Sequence, residues 1–90
     1  MHAVVGSVTI HDFERGLPAL QEEIMPRVKA TPGLVGAYWL RSGAGRGMSM
    51  ILLDSEDAAT ALAQMIQAEG PPTDAVTLNT IEVCEIVAHA

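Results

Sequence analysis

Residues 34–53 read LVGAYWLRSGAGRGMSMILL, two apolar runs separated by a polar stretch, Ser42 to Gly47, that holds three glycines. Both runs, Leu34 to Arg41 and Met48 to Leu53, are rich in residues that favour β-strands. A short glycine-rich connection between two such runs is typical of a β-hairpin. The segment therefore predicts two antiparallel strands joined at a flexible tip.

A strand and a helix are predicted before the hairpin. Ala3 to Ile10 is rich in Val, Thr and Ile, and Asp12 can cap a helix that follows. Apolar residues then recur at helical spacing: Phe13, Leu17, Leu20, Ile24 and Val28. Because Pro18 and Pro26 interrupt this stripe, we expect the helix to begin near Pro18 and to bend or loosen near Pro26. Thr31 to Gly33 ends it.

A second helix and a fourth strand are predicted after the hairpin. Ser55 is a suitable N-cap, acidic residues follow it, and Gly70 to Pro72 stop the helix. Its apolar face is formed by Ala58, Ala59, Leu62, Met65 and Ile66. The segment Ala75 to Val87 is β-like, but its alternation changes phase between Leu78 and Ile81. This change predicts a β-bulge or a split strand.

The order of elements predicts the fold class. A β-α-β-β-α-β order, with right-handed crossovers, gives an α+β ferredoxin-like plait. Such a plait has a four-stranded antiparallel sheet with both helices on one face. We therefore expect residues 1–90 to form a single domain of this type.

The hairpin is apolar on both faces, which predicts self-association. Met50 and Leu52 alternate with Ile51 and Leu53. In the first strand of the hairpin, alternation predicts Leu34, Tyr38 and Leu40 on one face and Val35, Ala37 and Trp39 on the other. Two helices cover only one face, and a large uncovered apolar face marks an interface. The sequence therefore predicts a homodimer formed through the sheet face opposite the helices.

Charge and composition narrow the function classes. The net charge of −6 arises from eleven acidic and five scattered basic residues, which disfavours binding to nucleic acid or to an anionic membrane. Residues 1–10 show no secretory signal pattern, and the longest purely apolar run is Met50 to Leu53. The single cysteine, Cys84, fits a reducing compartment. We therefore expect a cytoplasmic protein.

Three segments resemble a known superfamily. They are Thr31 to Leu40, Met48 to Asp54 and Ser55 to Ala59, and they are similar to the small dimeric α/β-barrel proteins that include antibiotic-biosynthesis monooxygenase-like domains. The resemblance implies two plaits packed sheet to sheet. It also implies a cleft between each sheet and its helices, which in that superfamily often holds a small aromatic or polyketide-like molecule. Many small members have no assigned activity.

Two groups of enzymes in that superfamily use residues that are largely missing here. The haem-degrading and quinone-forming members use an Asn on the first strand together with Trp, and the haem-degrading members add a His on a helix. Here the first strand offers Ser7 and Thr9, and neither predicted helix contains His. His2, His11 and His89 lack ligand spacing and are predicted to be solvated, so no metal or other cofactor is predicted.

The candidate ligand-binding residues are Tyr38, Trp39 and Arg41. Trp39 could form a stacking wall for a planar ligand, although an anchor in the core or interface is the simpler role for a sole Trp. Arg41 and Arg46 flank the hairpin tip and could attract a carboxylate, although a solvated charge is the simpler role for both. Glu82 and Glu85 are three positions apart on a strand, so they are predicted to point to opposite faces and not to act as a pair.

Two hypotheses of function remain from the sequence. The first is a small homodimeric protein that binds a small apolar or aromatic molecule or acts as a non-catalytic module. The alternative is a cofactor-independent monooxygenase or isomerase acting on a small aromatic or polyketide-like substrate. The absence of the Asn weighs against the alternative, and identification of a molecule bound in the cleft would separate the two.

Overall fold

The structure, a computed structural model, describes residues 1–90. A first strand is followed by a helical region in three consecutive segments, then by a hairpin, a second helix and a last strand. The elements are β1 (His2–Ile10), α1 (Phe13–Ala19), a π-helical segment (Leu20–Ile24), α2 (Met25–Lys29), β2 (Leu34–Ser42), β3 (Arg46–Leu53), α3 (Glu56–Glu69) and β4 (Val76–Glu85). We refer to residues 13–29 together as the first helix.

The four strands form one antiparallel sheet in the order β2-β3-β1-β4. The hairpin strand β3 pairs with β1, and β4 pairs with the other side of β1. This α+β arrangement of a four-stranded antiparallel sheet with two helices confirms the predicted class and is compatible with a ferredoxin-like plait. No helix combines the length and the apolar character needed to cross a bilayer.

The core lies between the two helices and one face of the sheet, which we call the inner face. Val4 and Ile51, directly paired across β1 and β3, are 0% and 1% exposed. Val28 from the first helix and Leu62 from α3 join them in one buried cluster. Both helices therefore cover the same face of the sheet.

Side-chain caps fix the starts of the helices. The Asp12 carboxylate accepts a hydrogen bond from the backbone N–H of Arg15, and the Ser55 hydroxyl accepts one from the N–H of Ala58 at 3.1 Å. Both caps were predicted from the sequence. Gly70, with φ of 67° and ψ of −174°, adopts a positive-φ conformation that favours glycine just after α3.

The prediction that the first helix begins near Pro18 is wrong. The helix begins at Phe13, directly after the Asp12 cap, and Pro18 lies inside α1. The loosening expected near Pro26 takes the form of the π-helical segment, in which Met25 N–H bonds to the carbonyl of Leu20. Pro26 has no N–H to donate and its ring occupies the space of a regular turn, so the wider π turn precedes it.

Two β-bulges set which side chains share a face. In the pairing of β1 with β4, Ser7 faces Thr80 and Val8 faces Leu78, so Asn79 is the extra residue and the predicted bulge is confirmed. A second bulge, not predicted, lies at Val35 in β2. It places Leu34 on the inner face with the core, whereas strict alternation grouped Leu34 with Tyr38 and Leu40.

The hairpin is longer than the sequence suggested. Its strands continue to Ser42 and Arg46, which pair with each other, leaving a turn of three residues. Ala44 and Gly45 have φ of 62° and 69° in that turn. The Gly45 carbonyl accepts a hydrogen bond from Ile10 N–H at 2.6 Å, which holds the turn against the end of β1.

The opposite side of the sheet, the outer face, carries no helix. Tyr38, Leu40, Met48 and Met50 form adjoining cross-strand pairs there and are 62%, 53%, 47% and 37% exposed. Val5, directly paired with Met50, extends this patch onto β1. The predicted apolar face thus exists and is uncovered in the single chain.

Candidate functional site

An apolar cavity of about 320 Å³ lies between the first helix, α3 and the inner face of the sheet. Of its 29 lining residues, 18 are hydrophobic. The complete apolar stripe recognised in the sequence faces it: Phe13, Leu17, Leu20, Ile24 and Val28. The apolar face of the first helix therefore packs partly on the core and partly lines this space.

Trp39 forms part of the sheet wall of the cavity. It pairs with Ser49 on β3, is half-buried, and packs against the core cluster while also lining the cavity. The indole is thus both a core anchor and a cavity wall, the two roles that the sequence left open. Its ring offers a flat apolar surface to anything in the cavity.

Tyr38 does not belong to this site. It precedes Trp39 directly and therefore projects from the opposite side of the pleated strand. It is 62% exposed on the outer face, beside Met50. The structure thus separates the three candidate residues, with Trp39 and Arg41 at the cavity and Tyr38 across the sheet.

Arg41 lies on the same face of β2 as Trp39, two residues further along, and lines the cavity. Its guanidinium carbon is 3.8 Å from the centroid of the Phe13 ring. Phe13 was predicted only as the first residue of a helix stripe. Its role at the site depends on how the first helix packs on the hairpin, and neither local spacing nor residue type indicates that contact.

Charged side chains surround the apolar interior. Arg27 of the first helix forms an ion pair with Glu69 at the end of α3, and both line the cavity. Glu23 and Arg41 are the remaining charged lining residues. The Arg27–Glu69 pair links the two helices across the site. A second pair, Arg15 with Asp74, links the first helix to the loop before β4.

The lining contains neither His nor Cys, and its hydroxyl groups are those of Ser49 and Thr73. Such a set offers little for acid–base or nucleophilic chemistry, which ordinarily uses His, a thiol, or a carboxylate beside a reacting group. The arrangement is suited to holding an apolar molecule, with a few polar groups at its edge.

The histidines lie elsewhere and do not all behave as predicted. His2 is within β1 and its side chain is only 20% exposed, with Nε2 3.4 Å from Glu56. The prediction of a solvated terminal residue is wrong for His2, because β1 begins there and pairs on both sides. His11 Nε2 hydrogen-bonds the Thr77 hydroxyl at 2.7 Å, and His89 is exposed.

No three His, Cys, Asp or Glu side chains are grouped so that they could hold a metal ion. Glu82 and Glu85 pair with Val5 and His2 of β1, positions of opposite parity, and so lie on opposite faces as predicted. Cys84 pairs with Ala3 and is a free, half-buried thiol.

No protein-family model matches the chain, and no curated protein matches it at a significant level of similarity. The functional proposal therefore rests on the fold and the cavity.

Proposed function

We propose that the protein is a homodimeric α/β-barrel protein that binds a small apolar or aromatic molecule in the cavity beneath the first helix. The observation that carries the proposal is the cavity itself, about 320 Å³ and lined mainly by aliphatic side chains and Trp39. Small-molecule sites in proteins are concave, mostly apolar and supplied with few polar groups. The volume is at the lower end of the usual range, which favours a small ligand of up to three rings.

The outer face supports the homodimer. Tyr38, Leu40, Met48 and Met50 would be left against water in a monomer. Soluble proteins rarely leave a contiguous apolar patch of this kind uncovered. A two-fold axis would place the same patch of a second copy on it, giving an isologous interface. The resemblance to dimeric α/β-barrel proteins leads to the same arrangement.

The catalytic alternative, a cofactor-independent monooxygenase or isomerase, retains one supporting observation. Trp39 faces the cavity, as an aromatic wall in such an enzyme would. The cavity lining contains no His, Cys or Asn, and this composition weighs against catalysis. We therefore place binding first and catalysis second.

The binding proposal is tested with N-phenyl-1-naphthylamine, an uncharged aromatic probe that fluoresces in apolar surroundings. Its binding should be saturable at one probe per chain and should quench Trp39 by energy transfer. Ala19 lines the cavity and is half-buried, so Ala19→Phe should fill the space and abolish binding. Ala61 lies exposed on α3 and does not line the cavity, which makes Ala61→Phe the matched control.

Binding that survives Ala19→Phe unchanged, or no saturable binding to the parent protein, would contradict the proposal. The catalytic alternative makes a separate prediction. Turnover of a dihydroxynaphthalene accompanied by stoichiometric oxygen uptake, and reduced in Trp39→Phe, would move catalysis ahead of binding.

A further inference from the structure

We infer that the molecule bound in the cavity is a small aromatic acid, whose anionic group is held by Arg41 while its ring system lies against Trp39. This inference rests on the proposed binding function and adds the chemical class of the ligand. It also assigns a direction to the ligand, with the acidic group at the Phe13 end of the cavity.

The two arginines that line the cavity differ in their partners. Arg27 is neutralised by Glu69. Arg41 has no carboxylate within ion-pair distance, and its guanidinium makes no hydrogen bond within the chain. Although the net charge of the chain is −6, this arginine at the apolar cavity has no acidic partner and is therefore available to bind an anion. A ligand anion would supply the missing partner.

The contact with Phe13 leaves the guanidinium donors of Arg41 available to an anion. A guanidinium stacked on a ring uses its flat face, whereas its five N–H donors lie in its plane. The guanidinium carbon is 3.8 Å from the centroid of the Phe13 ring, and this ring carries no oxygen or nitrogen that could accept a conventional hydrogen bond from the guanidinium donors. The in-plane donors match the two oxygens of a carboxylate or the oxygens of a sulfonate.

The spacing of Arg41 and Trp39 suits a compact acid. They are two residues apart on one face of β2, a separation of about 7 Å along a strand. A ligand whose acidic group is attached directly to a ring system spans that distance. Other residues that line the cavity are aliphatic, including Ile51, Leu62 and Ile81, and would exclude water from the ring system.

The test compares two probes that differ by one anionic group: 1-anilinonaphthalene-8-sulfonate and the uncharged N-phenyl-1-naphthylamine. The parent protein should bind the sulfonate at least tenfold more tightly after correction for each probe's partition into an apolar solvent. Arg41→Gln should weaken sulfonate binding about tenfold and change binding of the uncharged probe by less than twofold. Arg46→Gln is the matched control, because Arg46 does not line the cavity.

Equal effects of Arg41→Gln on the two probes, or none on the sulfonate, would overturn the inference and leave the binding function standing. Failure of both probes to bind the parent protein would overturn the binding function instead.

The dependence of binding on salt concentration provides a second test, which needs no variant. When NaCl is raised from 0.02 to 0.5 M, the affinity for the sulfonate should fall about threefold or more. The affinity for the uncharged probe should stay constant or rise. A sulfonate affinity that does not fall would contradict the inference.

Discussion

The Arg41 guanidinium lies over the Phe13 ring, with 3.8 Å between its carbon and the ring centroid, and so connects the end of β2 to the first turn of the first helix. Because Arg41 is exposed and Phe13 is 37% exposed, the contact is open to water and we expect a coupling of about 0.5–1 kcal/mol. A double-mutant cycle of Phe13→Leu and Arg41→Gln, followed by urea unfolding, measures it. A coupling indistinguishable from zero would show that the contact does not stabilise the fold.

Met50→Glu should dissociate the proposed homodimer. Met50 lies in the middle of the outer apolar patch, paired with Val5 on one side and Tyr38 on the other. In a two-fold interface the new carboxylate would be desolvated and would lie near its own copy, which is strongly unfavourable. Sedimentation equilibrium at micromolar concentration should give a monomer. Ala61→Glu places the same charge at an exposed position of α3 and should remain dimeric. A monomeric parent protein would refute the interface.

Trp39→Ala should destabilise the protein by about 3 kcal/mol, the lower end of the range for a buried aromatic residue, because one side of the indole already faces a cavity. Trp39→Phe should retain most of the stability, since it keeps a ring against the core cluster. Unfolding followed by circular dichroism is the appropriate measurement, as the fluorophore is removed. An unchanged melting temperature for Trp39→Ala would mean that the indole does not contribute to the core.

Gly47→Ala should be destabilising by about 1–3 kcal/mol, the usual cost of overpacking. A Cβ at Gly47 would lie 2.9 Å from Val8 Cγ2 and 3.3 Å from the Leu40 carbonyl oxygen, which cannot move freely within the sheet. Gly36 is the matched control, because a Cβ at this position of β2 would have no atom within 4 Å beyond its chain neighbours. Gly36→Ala should be neutral or slightly stabilising. Equal effects would show that the sheet relaxes around Gly47.

Local chemistry made much of the fold predictable. Asp12 and Ser55 stand directly before apolar stripes, and each caps the helix expected after it. The phase change between Leu78 and Ile81 located the bulge at Asn79. These features depend on residues close together in the chain, so sequence spacing records them.

The errors occurred where distant elements decide the outcome. Pro18 is accommodated inside α1, although proline most often occupies a first turn. The bulge at Val35 moved Leu34 to the core face, and an apolar strand carries no alternation that would reveal such a shift. For the same reason the sequence could not tell which face holds Trp39.

The site was predictable only in part. Trp39 and Arg41 were named and do line the cavity, whereas Tyr38, named with them, lies on the outer face. Phe13 and the Arg27–Glu69 pair at the rim were missed. Their positions follow from the path of the first helix over the sheet, which is set by long-range packing.

The chain contains one tryptophan and one tyrosine, and the pleat of β2 sends these consecutive residues to opposite sides of the sheet. Each surface therefore carries its own natural chromophore. Indole emission, excited at the red edge of the absorption band, would report occupancy of the cavity, while tyrosine absorbance and its accessibility to nitration would report the state of the outer face. A titration followed at both chromophores would reveal, without labels, whether filling one side alters the other.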